Sequence, residues 1–270
     1  MLAATAAVAL CGTFTSCGDD DHKDEPLPNP TVGVAPSPER IFTAGIPRSV
    51  GEYDIVTGAT GLVEEIVDRK DAETARFTYV TDAARDRVDD YNATITVTSN
   101  TKPSDRDIYY LTLNEQGYIT YALKVSSDGD REDWSFGYNR ASQLETITHR
   151  DKHTTKWTIT YNSGDITSVN ANGYLSEVNY NFEGQTIPNT GALMLWDDCF
   201  DIDIDDLELA YYAGMLGMPT ASLPAARNGM ASNDREAFTW TVGTDGLPTR
   251  VEIYDNEGYP ELEDVVNFVW

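Results

Sequence analysis

From Ile41 onward the dominant period of the sequence is two. Trp134, Phe136 and Tyr138 fall on one side of a segment, with Ser135 and Gly137 on the other. Trp157, Ile159 and Tyr161 repeat the pattern against Thr158 and Thr160, as do Phe238, Trp240 and Val242, and Leu111 with Leu113. Such alternation marks strands with one buried face, and β-branched and aromatic residues suit sheet packing. Turn chemistry separates the segments. Asn114 to Gly117, Asn162 to Gly164, Gly243 to Gly246 and Asp255 to Gly258 each lead into a new apolar position. Asn or Asp followed by Gly supplies the positive φ of tight hairpins. The hairpin units form an internal repeat of roughly two dozen residues.

A second regularity follows the turns. Leu144 and Ile147, Ile166 and Val169, and Leu175 and Val178 are three apart. An odd spacing flips the face unless a bulge absorbs one residue. Matched bulges curl a sheet, and a sheet of about ten to twelve strands seldom stays open and flat. The expected fold is mainly β: an antiparallel hairpin meander forming a barrel or strongly coiled sheet. One segment breaks the pattern. In Asp203 to Leu216, Ile204, Leu207, Tyr211 and Leu216 approach helical spacing, acids crowd the start, and Gly217 and Pro219 follow. This predicts one helix near 203–216, covering the barrel mouth or a sheet face.

Composition adds an address. Residues 1–16 are apolar, small-residue rich and uncharged, too short to span a bilayer, and read as a signal peptide. Thr15-Ser16-Cys17 resembles the lipobox of bacterial lipoproteins, which implies diacylglycerol and palmitate on the Cys17 thiol. Acyl chains anchor at about 0.8 kcal/mol per buried methylene. Residues 17–40 are acidic and proline-rich, an extended tether. Acids directly after the lipidated Cys resemble the surface-export signal of Bacteroidetes-type lipoproteins, which implies the outer face of the outer membrane. Residues 41–270 then form a single β-rich domain. With Cys11 in the leader and Cys17 acylated, Cys199 stands alone and no intrachain disulfide is expected. The net charge is −26, from 19 basic and 45 acidic side chains. Nucleic acid and anionic headgroups are therefore excluded as partners, and membrane contact is expected through the lipid anchor only.

Three stretches carry a family resemblance: Ala210 to Gly217 with Leu223-Pro224, the units Gly117 to Thr120 and Gly246 to Val251, and the ending Asn267 to Trp270. In this order behind a lipobox they resemble an uncharacterised family of Bacteroidetes envelope proteins described as having a porin-like fold. The resemblance implies a fold and an address. The family has no established activity, so no catalytic residue is carried over. The outward strand positions are Thr, Ser, Lys, Glu and Asn, unlike the lipid-facing band of a membrane barrel.

Candidate chemistry is sparse. His149 and His153 are four apart but flank a hairpin turn beside Arg150 and Lys152, a poor setting for a metal. Asp201, Asp203 and Asp205 have the alternate spacing that opens a calcium loop; Asp206 and Tyr212 stand where such a loop needs Gly and Glu, so only a nonstandard site remains. Trp134, Trp157, Trp240, Tyr138 and Tyr161 are candidates for a ligand cavity or glycan platform, against a plain core role that their parity favours. No nucleophile elbow, phosphate loop or dinucleotide fingerprint occurs, so no cofactor and no enzyme activity are expected. The expected function is a surface-anchored, non-catalytic binding or interaction module with a glycan or envelope-protein partner. The alternatives are a barrel carrier of an apolar ligand and a hydrolase of glycans.

Overall fold

Alternation along the chain closes on itself. A computed structural model describes residues 34–80, 91–229, 235–255 and 260–270. The first strands are β1 (Ser49–Val50), β2 (Tyr53–Thr57), β3 (Val63–Asp68), β4 (Glu73–Tyr79), β5 (Ala93–Ser99) and β6 (Arg106–Leu113). Next come β7 (Ile119–Ser126), β8 (Arg131–Tyr138), β9 (Leu144–Arg150), β10 (Thr154–Asn162), β11 (Asp165–Ala171) and β12 (Tyr174–Asn179). The last are β13 (Ile187–Pro188), β14 (Ser222–Leu223), β15 (Ala226–Asn228), β16 (Arg235–Val242), β17 (Pro248–Asp255) and β18 (Glu261–Val269). Sixteen of them form a closed antiparallel barrel in sequence order, with β15 beside β12 and β1 closing on β18. β13 and β14 pair only with each other. The wall has more strands than alternation suggests, in part because β1 and β15 are two and three residues long and too short to show a period.

The bulges fall where the odd spacings place them. Register shifts lie between Gly137 and Tyr138 opposite Leu144, and between Thr160 and Tyr161 opposite Ile166. Three more occur at the same height, after the turns into β3, β7 and β17. At three of the five, the bulged residue is a threonine whose hydroxyl donates to a carbonyl of the preceding strand: Thr120 to Thr112, Thr167 to Thr160 and Thr249 to Thr241, each at 3.2 Å. An unpaired bulge position thus finds a local partner. The third odd spacing is different. β12 keeps regular register, so Ser176 and Val178 face inward and Leu175 faces out, 38% exposed.

Aromatic groups repeat above the bulges. Tyr79, Tyr138 and Tyr161 each donate a hydroxyl hydrogen bond to the carbonyl of the first residue of the neighbouring strand, Val63, Ile119 and Leu144, at 2.7 to 2.8 Å. The Trp270 indole does the same to Pro248 at 2.7 Å. These four units therefore end on a ring with an apolar body inside and a satisfied polar tip.

The barrel is not hollow. Between β12 and β15 the chain passes through the β13–β14 neck and folds inside as a plug. Residues Ala192 to Trp196, Cys199, Phe200, Ile202, Ile204, Leu207 and Leu209 to Leu216 are buried in one cluster with the inward row of the wall. The expected helix near 203–216 appears as a shorter 3-10 helix, Asp205–Tyr211, which forms the mouth end of that plug. A one-turn α1 (Trp196–Phe200) precedes it. Gly214, at φ +78°, turns the chain before a longer helix can form. Backbone bonds tie plug to wall: the Ile119 N–H donates to Met215 and the Met218 N–H to Ser142, at 2.9 and 2.8 Å. The Gln143 amide donates to Gly164 and Pro219, joining two turns and the plug.

A strap ahead of β1 closes the end where the short turns lie. Pro36, Pro38, Ile41 and Phe42 are buried, and the Phe42 ring meets Tyr211 edge-on at 5.4 Å. Arg40 donates to the Gln116 carbonyl at 3.0 Å. The barrel thus has a sealed turn end and, opposite, a mouth where α1 and the 3-10 helix reach solvent.

Candidate functional site

Inward-facing positions near the turn end are apolar, and on several strands those at the mouth are charged. Cross-strand register puts Tyr109, Lys124 and Glu132 on one inward row, and Trp134 and His149 on another. The plug presents Asp197, Asp198, Asp201, Asp203, Asp205, Asp206 and Glu208 to the same opening. A cavity of about 200 Å³ lies there, lined by Tyr53, Ile204 and five of those carboxylates, Asp197, Asp203, Asp205, Asp206 and Glu208.

Two cations bridge plug and wall. Lys124 binds Asp107 of β6 at 3.0 Å and Asp205 of the plug at 2.6 Å, and its ammonium lies 5.5 Å from the centre of the Tyr109 ring. The Tyr109 hydroxyl donates to Asp205 and Asp206 at 3.0 and 2.9 Å. Burial works against the Lys124 charge, but hydrogen bonds to Asp205 and Asp107 hold its pKa well above the ordinary lysine range. Arg227 binds Glu236 through two bonds of 2.6 and 3.1 Å and reaches Asp201 at 3.5 Å. Lys124→Met leaves Asp107 and Asp205 without their shared cation. It should lower the unfolding free energy by about 2 kcal/mol, a buried-pair cost discounted for the water that reaches both acids. Urea melts at pH 7 check this; an unshifted midpoint would refute it.

The remaining carboxyls are less well compensated. Burial first, then the neighbouring Asp198, pushes Glu208 up to about 8. Burial and Asp205 push Asp206 up to about 6, and burial and Asp197 do the same to Asp198. Burial, with the charge of Asp203, also raises Asp197. All four move in one direction.

The calcium candidates are drawn apart by separate partners. Asp201 accepts from Ser176 at 2.8 Å and faces Arg227, whereas Asp205 takes Lys124. Asp203 instead accepts the Asp205 N–H at 3.0 Å. Among the described residues no three His, Cys, Asp or Glu side chains converge on a metal position. His149 stacks on Trp134 at 4.3 Å, with its Nε2 3.0 Å from Glu132, while His153 lies on the exposed turn beyond. Trp134 and Trp157 are buried on the same face of the wall, and Trp240, Tyr138 and Tyr161 pack on that core. The Trp240 indole donates to Pro224 at 2.7 Å. These five rings belong to the barrel's core, and the cavity at the mouth is lined by other residues. Cys17 lies outside the described residues. Lys124, Arg227, Tyr53 and Glu208, central to the mouth, were not candidates from sequence. Parity offered one signal: Lys124 follows Ala122 on the inward row, where a lone charge requires a partner.

Residues 73–250 match the family described as a domain of unknown function (DUF4595) with porin-like fold. The chain belongs to this family. No curated protein matches the sequence. Among solved structures, the chain is similar to a porin-like protein from Bacteroides uniformis ATCC 8492 solved by crystallography at 2.32 Å. The TM-score is 0.59 at 18% identity, over 80% of this chain and 88% of that one. At that identity the likeness concerns the fold. The family's porin-like shape is clear here in the closed barrel, but the polarity of the wall is reversed. On β10 the outward Thr154, Lys156, Thr158 and Thr160 are exposed and the inward Trp157 and Ile159 are buried. A membrane porin has apolar residues outside and a polar lumen.

Proposed function

We propose that this chain is a surface-anchored, non-catalytic binding or interaction module, with the acidic mouth as its presented end. The observation that carries this reading is the plug. Residues of the chain itself occupy the barrel interior and share one core with the wall. That leaves no lumen for an apolar cargo or for conduction. The strap enters at the sealed end, with Ala35 against Gly117. The chain leading back to Cys17 joins the barrel at this end, opposite the mouth. The polar outer wall suits a barrel standing in water, with the outer membrane reached only through acylated Cys17.

Two measurements test the proposal. Cells fed an alkyne fatty acid should label the wild-type chain and not Cys17→Ser, and surface protease should remove the barrel from intact cells. A labelled, membrane-bound Cys17→Ser protein would overturn the anchoring. Purified barrel added to a planar bilayer should give no conductance steps, and cis-parinaric acid should show no saturable binding. Steps of defined size, or stoichiometric uptake of that probe, would overturn the module reading in favour of a channel or carrier.

A further inference from the structure

The wall is uneven at the mouth. β1 and β2 form a tight hairpin with its tip at Gly51 and Glu52, and the Gly51 N–H donates to the Asn267 carbonyl at 2.9 Å. Beyond that bond β18 continues toward the mouth, from Val266 back to Glu261. On its side away from β17, no described strand pairs with this stretch. Backbone groups alternate sides along an antiparallel strand. Asn267 turns its carbonyl toward β1, so Val265 turns its own N–H and C=O to the same open side. That N–H donates to the Asp264 carboxylate at 2.6 Å.

Acids crowd this edge. Glu261, Glu263 and Asp264 are exposed on it, with Leu262 49% exposed among them. Asp264 and Glu52 both lie near enough to Asp198 of α1 for their charges to bear on it. Arg69, beside the hairpin tip, is taken up by Asp54 and the Gly51 carbonyl. Glu263 is the extra residue of a bulge opposite Ile253 and Tyr254. Bulges and charges on an edge strand keep like edges from pairing. A second copy of this chain would set the same three acids against their equals. A cationic strand meets no such repulsion.

We propose that the β18 edge from Glu261 to Val266 is a docking site for an extended, lysine-rich segment of a partner protein, added to the wall as one more strand. Main-chain hydrogen bonds to Val265 supply the pairing, and the flanking carboxylates select the charge. A carbonyl of the incoming strand takes the Val265 N–H, which frees Asp264 for an ammonium. The site deepens the module reading and rests on it for the existence of a partner.

Fluorescence anisotropy on the full chain tests the site. The probe is a fluorescein-labelled octapeptide of alternating lysine and threonine with blocked ends. It should bind saturably. The same peptide with alternate amides N-methylated keeps its charge but loses its donors, and should bind roughly tenfold more weakly. Val265→Pro should weaken the parent peptide by a similar factor. Its lost N–H lies outside the β17 ladder, so circular dichroism should show the barrel intact. Four results would overturn the site: no saturable binding, equal binding of the N-methylated peptide, equal binding by a folded Val265→Pro chain, or a wild-type dimer in sedimentation that excludes the peptide. If Val265→Pro does not fold, the two peptides on the wild-type chain still decide. None of these readouts involves the anchor, conduction or cargo uptake, so the site can fail while the module reading stands.

Discussion

Gly214→Ala should lower the unfolding free energy by about 3 to 5 kcal/mol, the range of severe single substitutions. Two effects act together. Gly214 sits at φ +78°, a conformation that costs about 1 to 3 kcal/mol for a side chain. An added Cβ would also stand 2.6 Å from the Pro38 Cα and 2.8 Å from its nitrogen. Both are backbone atoms, so no rotamer change relieves the overlap. Either the plug or the strap must withdraw, and with it the Phe42 contact to Tyr211. Guanidinium melts followed by far-UV circular dichroism check the value. A loss under 1 kcal/mol would mean that strap and plug are not packed as described. Gly45→Ala is the matched comparison: its φ is +105°, but nothing lies within 4 Å. It should show the conformational cost alone.

Trp196→Ala should cost about 3 to 5 kcal/mol, as for large aromatic residues truncated in a core. Trp196 is 1% exposed at the start of α1, deep in the plug. Its ring meets Phe200 at 6.5 Å and Tyr211 edge-on at 5.8 Å. Tyr211 is itself pinned by a 2.6 Å hydrogen bond from its hydroxyl to Ala192. The site therefore collapses poorly around a lost indole, which places the cost high in the range. Trp240→Ala, at a ring only half-buried near the barrel rim, should cost clearly less. Equal losses at the two positions would imply that the plug is loosely packed and that wall strands alone carry stability. Such a result would also revive the carrier, since a detachable plug leaves a lumen.

Trp134 and Trp157 declare their inward face by local alternation, and the structure places both inside. The bulges after Leu144 and Ile166 are equally local, since a spacing of three within a strand has one cheap explanation. Leu175 and Val178 show the limit of that rule. There the odd spacing reflects a leucine left outside, near a hairpin tip where one exposed apolar side chain costs little. The segment 203–216 reads as helical by its apolar spacing, yet it forms a shorter 3-10 helix, because Gly214 turns the chain against Pro38 before a longer helix can form.

The mouth was scarcely legible at all. Its acids were visible as a dense run, but their roles come from partners far away in the chain. Lys124 reaches Asp205 across 81 positions, Tyr53 reaches Glu208 across 155, and Tyr109 reaches Asp206 across 97. What the sequence determined by itself was hairpins, bulges, inward rings and a strongly acidic, water-facing character, since each of these follows from neighbours one to four residues apart. Only the tertiary structure decided that sixteen strands close into a ring, that the odd segment is a plug rather than a lid, and which two cations hold it. Closure and plugging are matters of fit among distant surfaces, and a two-residue period carries no information about what it will face.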